Sequence, residues 1–124
     1  MSKLKHFETL KDRAVFRPTG QVSIGQAVEL VTEAIDFARS LNIQKLLVDI
    51  TNLTGFGPPD VAMRYFIIHE WARAAGGRIR VAIVARPEMI DHQKFGTTVA
   101  ANAGFVADSF TTEEDALIWL ESGK

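Results

Sequence analysis

Two compact apolar runs, Leu46–Ile50 (LLVDI) and Arg80–Ala85 (RVAIVA), are each followed by a segment long enough for a helix. A strand covered on both faces reads as a continuous apolar run rather than an alternating one. When such strands take turns with helices, the sheet is mostly parallel, the crossovers are right-handed and helices cover both faces. This arrangement excludes an all-helical bundle and an antiparallel sandwich.

The rest of the chain fits the same frame. Leu4–Leu10 alternates loosely, Lys11-Asp12 reads as a hairpin turn, and Ala14–Arg17 is a second short strand ended by Pro18-Thr19-Gly20. The tight connection favours antiparallel pairing of these two strands. Ser23 with Gln26 has the capping-box pattern, and Ile24, Ala27, Val28, Val31, Ala34, Ile35 and Ala38 follow at three- and four-residue steps. That spacing predicts an amphipathic helix, ended by Leu41-Asn42. After Leu46–Ile50 comes the loop Thr51–Pro58, then a second helix from Pro59 or Asp60 to about Ala75, stopped by Gly76-Gly77. Proline suits the first helical position, where an N–H would lack a partner in any case. Pro87 or Asp91 opens a third helix that Gly104 closes. Val106–Phe110 is the last strand, Thr112 with Asp115 caps the last helix, and Ala116, Leu117 and Leu120 share its inner face. The predicted order is β-β-α-β-α-β-α-β-α: an α/β fold with a mostly parallel five-stranded sheet, first strand antiparallel, and four helices on both faces.

At 124 residues the chain is expected to form one domain, 1–124, with a core of its own. A net charge of −1 and no Lys/Arg run longer than two argue against nucleic acid as a partner. The absence of cysteine excludes disulfides and thiolate metal sites. No apolar run approaches the roughly 20 residues that span a bilayer, and MSKLKHFETLKD lacks the apolar core of a signal peptide. The expectation is a soluble cytoplasmic protein without a transmembrane segment.

The second helix carries more grease than one face needs. At about 100° per residue, Val61, Tyr65, Ile68 and Ala72 form one stripe, the expected core face. Met63, Phe66, Ile67 and Trp71 spread over much of the remaining circumference, interrupted by Asp60, Arg64, Glu70 and Arg73. Leaving a large apolar side chain in water forgoes about 1.5–3 kcal/mol. A neighbouring helix accounts for part of this surface. The remainder points to a self-association face or the wall of an apolar ligand pocket. In the third helix, Gly96, Ala100, Ala101 and Ala103 are small enough for close helix–sheet packing.

In open α/β sheets ligands gather beyond the carboxyl ends of the strands. That edge is furnished with Asp49, Thr51, Asn52, Thr54 and Arg86. Arg86, before a helix start, suits a carboxylate or phosphate; the plainer alternative is a solvated arginine beside a turn. Thr and Asn side chains in such a loop commonly tie down its backbone. Asp49 as a catalytic acid or base needs a perturbed pKa and a partner, and no partner is visible in the sequence. His6, His69 and His92 lie on separate elements, and His69-Glu70-Trp71-Ala72-Arg73 has arginine where a zinc helix needs its second histidine. No nucleophile elbow, phosphate loop or dinucleotide fingerprint is present. Neither catalysis nor a metal or cofactor is expected.

The segments LLVDITNLTGF, IRVAIVA and GFVADSFTTEEDALIWL, taken in order, resemble the SpoIIAA-like group of the STAS domains, the anti-sigma-factor antagonist fold, with a more distant similarity to the CRAL-TRIO lipid-binding domains. The resemblance runs from Ala14 to Leu120. It implies a non-catalytic regulatory module acting by protein–protein contact, expected as a homodimer through the second helix, with a regulatory protein as a further partner. In that group a serine at the start of the second helix is phosphorylated. Here Gly57 stands where the group has aspartate and Pro58-Pro59 fall on its serine pair, so the acceptor hydroxyl is missing and Thr51 and Thr54 are the nearest hydroxyls. The competing expectation is a small carrier of a lipophilic or acyl ligand.

Overall fold

The computed structural model describes residues 4–90 and 100–122. Strands β1 (Phe7–Thr9) and β2 (Ala14–Phe16) form the antiparallel hairpin, with Phe7 opposite Phe16. A two-residue strand, β3 (Gly20–Gln21), leads into helix α1 (Ile24–Ser40). The capping box is formed: the Ser23 hydroxyl accepts from the Gln26 N–H at 3.1 Å, and the Gln26 side chain accepts from the Ser23 N–H at 2.9 Å. Ala27, Val28, Val31, Ala34, Ile35 and Ala38 are all buried, and Asn42 takes the left-handed conformation just beyond the Leu41 cap.

Next come β4 (Lys45–Asp49), the short β5 (Leu53–Thr54), helix α2 (Val61–Ala75) and β6 (Arg80–Val84). A 3-10 turn at Pro87–Met89, a helix α3 described over residues 100–102, β7 (Ala107–Phe110) and α4 (Glu113–Ser122) complete the chain. Gly104 has a positive φ, and the Phe105 N–H returns to the Ala100 carbonyl at 2.8 Å, closing α3 as the sequence suggests. Asp91 as a helix start, together with His92 and Gly96, lies outside the described residues. None of the described helices is long and apolar enough to cross a membrane.

The main sheet runs β1-β2-β4-β6-β7, parallel throughout except for β1. Because successive strand residues face opposite ways, each central strand feeds two cores. Ala14, Phe16, Leu46, Val48, Val81 and Ile83 pack with α1, α2 and Ala100 on one face. Val15, Leu47, Ala82 and Val84 pack with Ala116 and Leu120 of α4 on the other. Burial on both faces explains the unbroken apolar runs of β4 and β6.

Three expectations need correction. The segments around Pro18-Thr19-Gly20 and Thr51–Pro58 are not wholly loop: β3 and β5 pair in parallel as a second small sheet, anchored by the fully buried Leu53. Two-residue strands are too short to leave a period in the sequence. Helix α2 starts at Val61, one residue later than the later of the expected positions, with Asp60 as its cap accepting from the Met63 N–H at 2.8 Å, so Pro59 precedes the helix. Its inner face is also turned. Ile67, Trp71, Ala74 and Ala75 are buried, whereas Val61 and Tyr65, assigned to the core stripe, are exposed. The helix is apolar all round and its periodicity is therefore ambiguous; packing on α1 through Trp71, whose Nε1–H points to the Val28 carbonyl at 3.4 Å, decides the outcome.

Candidate functional site

At the carboxyl edge of the sheet, alternation places Arg17 and Asp49 on the same side as Val15 and Leu47, the side covered by α4. The register that sets Phe16 opposite Val48 continues by one residue to bring Arg17 alongside Asp49. Glu113, in the first turn of α4, completes the group. Its carboxylate accepts from Arg17 Nε at 2.8 Å and from Arg17 Nη2 at 2.9 Å, a two-point clasp. Glu8 stands 3.7 Å from Arg17 Nη1. Asp49 Oδ1 accepts from the Thr51 N–H at 3.0 Å and from the Thr51 hydroxyl at 2.6 Å.

These contacts divide the two carboxyls electrostatically. Hydrogen bonding to Arg17 lowers the Glu113 pKa to about 2, with a further bond to Asp49 assisting. Asp49 is raised instead, first by burial and then by sharing a hydrogen bond with the Glu113 carboxylate, against the lowering effect of Thr51. The Arg17 guanidinium is held above its ordinary value by Glu113. Asp49 therefore has the perturbed pKa and the partner that were not visible in the sequence. Asp49 borders neither of the two clefts described below.

On the opposite face of the sheet, a partly open cavity of about 140 Å³ lies between α1, α2 and the sheet. Its walls are Ala27, Val28 and Val31 from α1, Ile67 and Trp71 from α2, and Ile83 from the sheet, with Ile50 and Phe56 contributed by the loop after β4. The residual exposure of the core maps onto this space. Ala27, Val28, Ile67, Trp71 and Ile83 keep 6–9% of their surface, and every other residue of the apolar core keeps 4% or less. The five residues with that excess are all cavity walls. Arg64, Asp108 and Ser109 supply the polar part of the lining. A more open groove of about 510 Å³ lies outside it, between Phe56, Pro58 and Pro59 of the loop and Met63 and Phe66 of α2.

The residues singled out from the sequence thus divide among three places. Asp49 and Thr51 belong to the polar clasp. Asn52 and Thr54 are exposed and serve the small sheet, the Asn52 carbonyl accepting from Gly20 at 3.2 Å and the Thr54 carbonyl from Val22 at 2.7 Å. Arg86 forms a local pair with Glu88 at 3.5 Å and lines neither cleft. Met63 and the half-exposed Phe66 line the groove, and Ile67 and Trp71 line the cavity. His69 is exposed, with its ring 4.3 Å from that of Tyr65. Sequence reasoning missed Arg17, Glu113 and Arg64. For Arg17 the signal was available once β2 is paired with β4; for Glu113, 96 residues away, only the fold supplies it. Among the described residues no cluster of three or more candidate metal-ligating side chains forms.

Compared with family models, curated proteins and solved structures, the chain matches none of them.

Proposed function

We propose that this protein is a non-catalytic binding module that holds a small apolar molecule between α1, α2 and the sheet. The observation that carries this reading is the coincidence of the cavity with the described core residues that keep 6–9% exposure, all five of which line it. An apolar space of about 150 Å³ stays dry and takes up benzene-sized guests, so the volume here suits a tail of about six carbons. The apolar walls provide the affinity, and the polar groups Arg64, Asp108 and Ser109 lie at one part of the lining. This is the carrier expectation, with the volume of the cavity matched to a short tail. The order of the elements supports STAS-like kinship as part of the same proposal.

Native mass spectrometry of protein purified from cells tests it: a bound small molecule is expected. The Ala27→Leu variant, with extra carbons at the cavity wall, is expected to lose that mass while unfolding at the same temperature or higher. Full retention of the molecule by the variant would count against the site.

A second reading rests on a different surface. Val61, Tyr65 and Phe66 expose 64%, 54% and 52% of their surface at the start of α2, beside the loop that the STAS resemblance associates with partner contact. This supports a homodimer or a regulatory protein docked there. Trp71, once a candidate for that face, is buried and no longer part of it. Sedimentation at micromolar concentration, with Phe66→Glu as the disrupting variant, distinguishes a self-associating chain from a monomer.

A further inference from the structure

The half-buried arginines differ in what satisfies them. Arg13 pairs with Asp12 and Glu121, Arg86 pairs with Glu88, and Arg80 lies over the Trp119 ring with its guanidinium carbon 4.1 Å from the centroid. Arg64 has none of these. Among the described residues its one hydrogen bond runs from Nη1 to the Met89 carbonyl at 3.5 Å, the outer limit for such a bond. A guanidinium carries five N–H donors in a planar fork and remains charged at any pH the protein meets. Arg64 lines the apolar cavity, on the helix that also supplies Ile67, Ile68 and Trp71 to its wall. The nearby Asp108 does not serve as its counter-ion: that carboxylate accepts from the Ser109 N–H at 2.8 Å and is engaged in further interactions of its own.

We infer that the molecule held in the cavity is a short-chain monocarboxylate, its tail among Val28, Ile67 and Trp71 and its carboxylate on the Arg64 guanidinium. The inference deepens the proposed function and rests on it. A carboxylate matches the arginine fork in two parallel hydrogen bonds, a geometry that a neutral hydroxyl cannot reproduce. The volume between the apolar walls matches a tail of about six carbons. A dicarboxylate would drive a second charge into a space whose described lining offers no second cation. The Met89 carbonyl, an acceptor at the limit of reach, is easily given up when a carboxylate arrives.

The two tryptophans make the test internal. Trp71 forms the cavity wall, while Trp119 sits with α4 on the other side of the sheet. Hexanoate and 1-hexanol are titrated separately into ¹⁵N-labelled protein at neutral pH, following the two indole N–H resonances. The expected result is a shift of Trp71 and not of Trp119 with both probes, hexanoate binding at least about tenfold more tightly, a preference that shrinks with added salt. Arg64→Gln should bring the two affinities together while leaving that of hexanol unchanged, which also shows the variant to be folded. Equal binding of the two probes by the unaltered protein, or a hexanoate preference that survives Arg64→Gln, overturns the carboxylate inference and leaves the apolar site standing. If neither probe moves Trp71, the cavity is not a ligand site and both readings fall.

Discussion

Gly55 is the residue whose replacement the backbone forbids most plainly. It has φ of 104°, and a Cβ built there would lie 2.4 Å from the Val22 carbonyl oxygen. That carbonyl belongs to backbone following β3, so relief would require the small sheet to part. Gly55→Ala is expected to cost about 1–3 kcal/mol, combining a strained φ with the clash, measurable as a lower urea midpoint. At the clasp, Arg17→Met removes both bonds to Glu113. The pair is partly solvated, Arg17 keeping 48% of its side-chain surface and Glu113 29%, which places the loss at about 0.2–1 kcal/mol at neutral pH.

The pH dependence of that clasp has opposing signs. Glu113 falls from its ordinary 4.5 to about 2 on folding. Its contribution is complete above 4.5 and disappears as the pH drops towards 2. Asp49 is raised above its ordinary 3.8, so its protonated form favours the folded state, and that contribution is lost as pH rises through the folded value. The two partly offset each other in acid. Asp49→Asn keeps an oxygen for Thr51 and abolishes the Asp49 titration, so this variant should lose stability more steeply than the unaltered protein between 4.5 and about 2. Urea unfolding across that range checks the slope; a shallower one would contradict the assignment.

At the scale of the element, α2 shows how far a pattern can mislead. Its large apolar residues occupy nearly the whole circumference, so the stripe Val61-Tyr65-Ile68-Ala72 and the one actually buried, Ile67-Trp71-Ala74-Ala75, are equally regular. What separates them is α1, whose clear amphipathic face supplies the groove that Trp71 enters. Trp71→Ala is expected to cost about 3–5 kcal/mol, whereas Phe66→Ala should change stability by no more than about 0.5 kcal/mol. Thermal unfolding of the pair measures the difference, and a reversed ranking would restore the original face. Helix α1 posed no such ambiguity because its capping box, its spacing and its burial all agree.

For the whole molecule, what the sequence made legible follows the range of the interaction. Contacts within one element were readable: the Ser23–Gln26 box, the Thr112 cap accepting from Asp115 at 3.1 Å, the left-handed turn at Gly76 and the buried runs of β4 and β6. The mostly parallel character of the main sheet followed from their alternation with helices. Beyond the β1–β2 hairpin, the side-chain contacts between elements were not readable. Arg17 meets Glu113 only because β2 lies beside β4 and α4 crosses over both, and Arg64 meets the cavity only because α2 has turned its other face inward. Asp49 was identified as a position of interest, but its environment was built by residues from opposite ends of the chain.

Among the described residues, one face of the sheet is clothed by α1, α2 and Ala100 of α3, the other by α4 alone. Stripping off that single garment would bare Val15, Leu47, Ala82 and Val84 as an oily strip across three neighbouring strands. Such strips seek their own kind. A chain cut before Thr112 should consequently travel to the insoluble pellet of a cell extract, while the intact one stays in the supernatant.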